Sequence, residues 1–351
     1  MVERGQALAR SLLDGARPVD TAVRLAVDAA LRHRSTDRTV HAAALLLAFS
    51  VRADLGLNRS KANGWMLGLD ELVDCGHLDA AAYAVPRLNK AFPRQPYLEY
   101  MALVFRQLPA AVGNGRQPFL DDRDNDVQMV PMPGADTIVI AFCGVKGRLG
   151  LSTNLMDRWF AQLDSHVIYL RDRKKAGYTG GIPALGRNME TTVEGLRKLV
   201  RDVGARRVVC TGNSAGASGA LRYARALGAE RVLALAPITG GQDFVRKIAL
   251  SLPTGGVMPW TDLVPLYRED IGVRARIMYG EKNAGDKQEA LRMAGLPNVT
   301  VEALRGWESH HLVGGLLQAG RLERVLGWLT SVDDVPDVDG LWSSPTQSAL
   351  T

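Results

Sequence analysis

The sequence predicts an α/β fold, built on a doubly wound and mostly parallel sheet, with an all-α, helical-repeat-like region ahead of it. Two observations carry this prediction. From Thr137 onward short β-rich runs alternate with helical segments over short connections, as parallel strands joined by crossover helices require. Before about residue 110 β-rich runs are almost absent, and apolar residues recur at helix spacing instead.

The helical region is residues 1–110. Thr21 to Leu31 carries apolar residues at helix spacing, and Thr39 to Val51 is nearly all apolar on one side, as stacked helices burying a stripe would be. Gly76-His77-Leu78-Asp79-Ala80-Ala81, with Pro93 twelve residues further on, resembles the second half of a tetratricopeptide repeat. Trp65, Leu67 and Gly68 lie roughly where the first helix of that repeat would put them. The Trp-to-Leu spacing is one residue short and Pro86 falls inside the second helix, so an unrelated helical bundle fits these residues equally well. Either arrangement offers surface to a protein partner rather than chemistry. Pro109, Gly113, Gly115 and Pro118, followed by the acidic run Asp121-Asp122-Arg123-Asp124-Asn125-Asp126, mark the junction to a second domain, residues 111–331.

In that domain strands are expected at Thr137 to Phe142, His166 to Leu170, Arg207 to Thr211, Arg231 to Leu235, Arg274 to Tyr279 and Val299 to Ala303. The helices between and after them include Leu155 to Leu163, Thr191 to Val203, Ala215 to Leu227, Asp286 to Met293 and Leu312 to Leu329. The connection from Pro237 to Ile271 is longer than a crossover needs, and its Leu250, Leu252, Val257, Met258 and Trp260 suit either a cap over an apolar pocket or an extra packing helix. Residues 332–351 read as a flexible tail.

Composition excludes several classes. Apolar residues make up 46% and charged residues 23% of the 351, and no apolar run approaches the length of a membrane span. The first twenty residues carry Glu3 and Asp14 and lack an apolar stretch, so a cytoplasmic protein without a secretory signal is expected. Cys75, Cys143 and Cys210 are odd in number and far apart, which suits reduced thiols. The net charge of +6 is shared, with 14 Lys+Arg against 11 Asp+Glu in residues 1–110 and 29 against 26 in the rest, or +3 each; no nucleic-acid footprint follows. Neither a zinc-ligand spacing nor a dinucleotide G-x-G-x-x-G occurs, so no metal and no cofactor are expected.

The chemistry centres on Arg207-Val208-Val209-Cys210, which runs into Gly212-Asn213-Ser214-Ala215-Gly216, the one G-x-S-x-G spacing in the chain. A Ser on a sharp strand-to-helix turn has its hydroxyl pushed out at the top of the sheet, and glycines two positions either side let the chain pass without a Cβ clash. Ala215, Ala217, Ser218 and Ala220 keep the following helix thin, and its first N–H groups face a developing oxyanion. The competing reading is a Gly-rich turn that packs tightly or holds a phosphate.

A Ser hydroxyl is inert without a base, and the base needs an orienting acid. The strand ending at Gly280 is followed by Glu281 and Asp286, and the last strand by Ser309-His310-His311. This order of Ser, acid and His resembles that of the α/β-hydrolase superfamily over about residues 130 to 330. The resemblance implies Ser214 as nucleophile, an acid after the penultimate strand and a His after the last. Many relatives place the acid three residues past the strand-ending Gly, which here is Asn283. Asp286 is preferred, since a loop of that reach can aim at a His across the site; Glu281 is the alternate and Asp243 a weaker third. His311, just ahead of the last helix, is preferred as base over His310. The oxyanion hole would come from the Ala215 N–H and from the loop Cys143-Gly144-Val145-Lys146-Gly147, where Gly144 holds the turn-glycine place and Val145 supplies the second N–H. Cys143 stands where many esterases have His.

Substrate contacts are expected from Lys146, Arg171, Arg173 and Trp260; the cations of Arg171 to Lys175 follow a strand's carboxyl end and suit an anionic acyl carrier, carboxylate or phosphate, or else a solvated loop. The expected activity is a serine hydrolase cleaving an ester, thioester or amide of a small-molecule or carrier-bound acyl substrate. The alternatives are an acyltransferase using the same residues, and a catalytically silent scaffold whose helical region binds a protein partner.

Overall fold

A computed structural model describes residues 66, 69–70, 72–240, 262–331 and 342–343. The chain divides into two units, Met1–Leu108 with Ser152–Leu155, and Pro109–Leu151 with Met156–Thr351. In the first, α1 (Leu78–Ala91) buries Ala81, Ala84, Val85 and Leu88, and α2 (Pro96–Gln107) buries Leu98, Met101 and Val104. These are the three- and four-residue intervals of one helix face. Pro96 opens α2 at a position whose N–H has no intrahelical acceptor to lose, whereas Pro86 lies inside α1. Trp65, Leu67 and Gly68, which carry half of the repeat resemblance, lie outside the described residues.

The second unit is a doubly wound sheet. Its strands are β1 (Val127–Val130), β2 (Thr137–Phe142), β3 (His166–Leu170), β4 (Arg207–Asn213), β5 (Arg231–Leu235), β6 (Arg274–Gly280), β7 (Val299–Leu304) and β8 (Trp342–Ser343). They stand in the order β1-β3-β2-β4-β5-β6-β7-β8. β2 to β7 pair in parallel, and β1 and β8 close the two edges antiparallel. The six expected strands are all present, three of them one or two residues longer at the carboxyl end. The edge strands were not expected. β1 is only partly covered, with Gln128 and Met129 in its middle, and β8 pairs two residues of the segment expected to fray.

The helices are α3 (Thr153–Phe160), α4 (Met189–Asp202), α5 (Ala215–Leu227), α6 (Ala284–Leu291), α7 (Leu312–Gln318) and α8 (Leu322–Gly327). The single helix expected over residues 312–329 is two. Gly320 takes the left-handed conformation at φ 65°, and the bonds Arg321 N–H to Leu316 O and Gly320 N–H to Leu317 O end α7 there.

Both faces of the sheet are covered, so β2, β3 and β5 are buried throughout and, after their first residues Thr137, His166 and Arg231, apolar without alternation. Ile138, Ile140, Phe142, Ile168, Leu170, Cys210 and Val232 pack on one face with Leu196 of α4, Ala217, Ala220 and Leu221 of α5, and Ala290 of α6. Tyr169 points the other way, where its ring lies 6.0 Å from Phe160 of α3 and 4.6 Å from Phe119. The junction segment straps this second face: Arg116 makes a two-pronged pair with the buried Asp157, which also accepts the Tyr169 hydroxyl, and Arg158 donates to Pro109 O at 2.8 Å.

Candidate active site

The connection from β2 runs outward to β3, and the chain then returns to lay β4 on the opposite side of β2. The carboxyl ends of β2 and β4 therefore flank the switch point where this architecture leaves a crevice. Ser214 follows β4 directly there. Its φ of 57° and ψ of −125° are a strained conformation for a residue with a side chain, which costs on the order of 1–3 kcal/mol. The strain is held by neighbours that cannot move. Ser214 N–H donates to Leu235 O at 2.8 Å, carrying the β4–β5 ladder one residue past the end of β4, and Ser214 O accepts the Ala217 N–H as α5 begins. A Cβ on Gly216 would fall on the Phe142 carbonyl, and one on Gly212 would fall on the Gly216 backbone. The two glycines are thus required by contact between β2, β4 and the first turn of α5. The Ser214 side chain is half-buried at this turn.

The loop after β7 brings in the base. Its residues are fastened to the loop after β6, through Glu281 N–H to Leu304 O at 3.1 Å, Lys282 N–H to Trp307 O at 2.9 Å and Asn283 Nδ2 to Glu308 O at 3.2 Å. With the two loops tied, His310 Nε2 lies 2.8 Å from Ser214 Oγ and His310 Nδ1 lies 2.8 Å from Asp286 Oδ1. Asp286 is 3% exposed while the His310 side chain is 37% exposed, so the acid is sheltered and the imidazole can be reached. The Asn283 side chain caps α6 by accepting the Asp286 N–H at 3.0 Å, which sets the acid in the first helical turn, where the helix dipole favours a carboxylate.

His311, the residue preferred from the sequence, is not the one brought to Ser214. The residue just ahead of a helix is its N-cap, and His311 accordingly turns outward: its side chain is exposed, its N–H donates to Ser309 Oγ at 3.1 Å, and its ring centroid lies 6.5 Å from that of His310. Partial burial, then the neighbouring His310 and Lys146, disfavour its cation and hold its pKa below the ordinary imidazole value. Glu281 is likewise engaged elsewhere, accepting the Gly306 N–H at 2.7 Å. Asp243 and Trp260 lie outside the described residues.

The loop after β2 lies against the strand-to-helix turn at Ser214. The Cβ position of Gly144 is 3.9 Å from Ser214 Cβ. Gly144 is not an available donor, because its N–H is bonded to Arg148 O at 2.8 Å. Among the described residues the N–H groups of Ala215 and Val145 have no backbone acceptor. Burial pushes the Cys143 thiol up to about 12, and Cys210 is raised as well, so both are packing thiols.

Of the cations expected to meet substrate, Lys146 is exposed on this loop. Arg171 and Arg173 are engaged by the acidic run of the junction. Arg171 is buried, pairs with the Asp121 carboxylate, and donates to Asp122 O, Asn125 O and Gln128 Oε1; Arg173 pairs with Asp126 and donates to Arg123 O. An arginine between two β-ends looks like a ligand contact until the segment fifty positions upstream is seen to carry its counter-charge. Replacing Arg171 with Ala breaks this buried ion pair with Asp121 and is expected to lower stability by about 3–5 kcal/mol, read by urea unfolding. A change in KM with stability intact would restore it as a substrate contact.

Among the described residues no group of three or more His, Cys, Asp or Glu is placed to hold a metal ion, and no helix is long and apolar enough to cross a membrane. No protein-family model matches the chain, and no curated protein matches it. Solved structures similar to it include an esterase of Pyrococcus furiosus, at 16% identity over 58% of this chain and 87% of that one, with a TM-score of 0.42. Two others are the capsule O-acetyltransferase of Neisseria meningitidis serogroup A, at 10% identity over 60% and 94% with a TM-score of 0.42, and proline iminopeptidase of Mycobacterium smegmatis, at 11% over 58% and 93% with a TM-score of 0.40.

Proposed function

We propose that the chain is a serine hydrolase of the α/β-hydrolase kind, which opens an ester, thioester or amide through an acyl-enzyme on Ser214. The observation that carries this reading is the continuous line of hydrogen bonds from Ser214 Oγ through both nitrogens of His310 to Asp286. Asp286 accepts a hydrogen bond from Nδ1–H, which keeps the ring proton on Nδ1 and leaves the lone pair on Nε2 facing the Ser214 hydroxyl. As Oγ attacks the carbonyl carbon, Nε2 takes its proton, and the imidazolium that forms is stabilised by the carboxylate beside it. The charge on the carbonyl oxygen is received by the Ala215 and Val145 N–H groups. His310 then returns the proton to the leaving group, and water, activated by the same nitrogen, releases the acid. A silent scaffold would draw its support from the lack of an acid three residues past Gly280, where Asn283 stands; against it, Asp286 lies in the helical turn that Asn283 caps and within hydrogen-bond distance of His310.

The test is covalent labelling. A fluorophosphonate applied to the folded protein, followed by peptide mass mapping, is expected to leave one adduct, on Ser214. No adduct, or an adduct on another residue, would overturn the reading. A panel of p-nitrophenyl esters and acyl thioesters of rising chain length then defines the acyl group.

A further inference from the structure

We infer that Tyr178 is a positioning residue whose hydroxyl aims the Cys143–Val145 loop at the substrate's carbonyl oxygen; the inference rests on the reading of Ser214 as nucleophile. Tyr178 belongs to the loop after β3. Its side chain is 1% exposed, stands edge-on to Phe142 with centroids 5.1 Å apart, and lies over Gly219 of α5, where a Cβ would come within 2.5 Å of the ring. Packing accounts for the ring. It does not account for the hydroxyl, which is shared between Cys143 O at 2.7 Å and Leu170 O at 2.8 Å.

Those two carbonyls lie where β2 and β3 end and part. Leu170 O already accepts the Cys143 N–H at 2.9 Å, so the Tyr178 hydroxyl closes the ladder at its last rung. The Cys143 carbonyl and the Gly144 N–H belong to one planar peptide unit. Tyr178 holds that plane by its oxygen, and Arg148 O holds it by its N–H at 2.8 Å. That plane is fixed at both ends, and the next peptide, whose N–H is that of Val145, is held in turn through its carbonyl, since Gly144 O accepts the Gly147 N–H at 2.8 Å.

The backbone at Tyr178 is built for this reach. Its φ of 64° is left-handed, a conformation that bulky side chains avoid, and it persists because neighbours determine it: Asp172 Oδ2 accepts the Tyr178 N–H at 2.8 Å and the Tyr223 hydroxyl donates to Tyr178 O at 3.1 Å. Phenylalanine would fill the same space and leave Cys143 O without this donor. Burial raises the phenol pKa well above its ordinary value, so the hydroxyl remains a donor wherever the enzyme would work.

The experiment measures p-nitrophenyl acetate hydrolysis and the rate of fluorophosphonate labelling for the wild type, Tyr178→Phe and Tyr267→Phe. Tyr267 is the control, since its buried hydroxyl also donates to a backbone carbonyl, Leu221 O at 2.7 Å, but on α5. Tyr178→Phe is expected to lower kcat by about 10- to 100-fold with KM within about twofold, and to slow labelling in parallel, because the phosphonyl oxygen draws on the same donors. Its thermal midpoint should fall no further than that of Tyr267→Phe. Unchanged kcat and labelling in Tyr178→Phe, or an equal loss in Tyr267→Phe, would overturn the inference while a wild-type adduct on Ser214 leaves the nucleophile standing. A wild type that forms no such adduct removes both. If Tyr178→Phe does not accumulate, Asp172→Ala, which keeps the hydroxyl and releases the backbone behind it, is expected to reproduce the loss in kcat without a change in KM, and full activity in it would count against the inference.

Discussion

Alanine at Ser214 or at His310 is expected to lower kcat/KM toward a p-nitrophenyl ester by about 10⁵- to 10⁶-fold, and the two substitutions together by little more than either alone. The reason is that the 2.8 Å bond between Oγ and Nε2 serves a single step. A Ser without its base attacks as a neutral alcohol, and a base without its Ser has no proton to take, so each deletion removes the same transition state. Each loss corresponds to about 7–8 kcal/mol of transition-state stabilisation. What survives in the double variant is the contribution of the Ala215 and Val145 N–H groups to polarising the bound carbonyl. His311→Ala is the discriminating control. Its ring bonds to neither Ser214 nor Asp286, and removing it should change kcat/KM by less than about tenfold. Inactive His311→Ala beside active His310→Ala would move the base to the other ring, and additive losses at Ser214 and His310 would mean that the two do not act in one step.

The architecture was legible because it rests on local patterns that tertiary contacts reinforce. Continuous apolar runs bounded by turn residues mark strands covered on both faces, and Ala-rich α5 marks a helix that must lie close to β2 and β4. The turn at Ser214 was legible because its two glycines stand at fixed offsets between a strand and a helix, although only Gly212 answers to backbone within the turn, at Gly216, while Gly216 answers to the Phe142 carbonyl of β2. What escaped depends on distant partners. β1 has no periodicity of its own to announce it and is defined by its pairing with β3, and Arg171 reads as an open cation until Asp121 is placed against it. The break in the last helix was readable, since Gly320 directly follows a helical run at the place a C-terminal cap occupies. The choice between two adjacent histidines was not, because it turns on which residue of one loop becomes the helix cap. Loop 305–311 takes its course from bonds to Glu281, Lys282 and Asn283, none of them neighbours in sequence.

Asp286→Asn is expected to lower kcat by about 10⁴-fold with little change in KM, and Glu281→Gln to lower it by less than about tenfold. The asymmetry comes from what each acid touches. Asp286 Oδ1 meets His310 Nδ1 at 2.8 Å in a buried setting, and no hydrogen-bond partner for its Oδ2 is found among the described residues, so the imidazole is the one group this carboxylate orients through its side chain. An amide in its place can turn its NH₂ toward Nδ1, which forces the proton to Nε2 and points a donor, not an acceptor, at the Ser214 hydroxyl. KM is expected to change little because the Asp286 carboxylate is buried behind the imidazole; the loss falls on the step in which Nε2 accepts the proton. Glu281 Oε2 accepts the backbone N–H of Gly306 at an exposed turn, so its loss loosens the loop that carries His310 but leaves the tautomer alone. Steady-state kinetics on the two variants separates these roles. A full loss in Glu281→Gln with activity retained in Asp286→Asn would shift the orienting acid to the residue directly after β6, and would require the loop after β7 to rearrange before His310 could meet it.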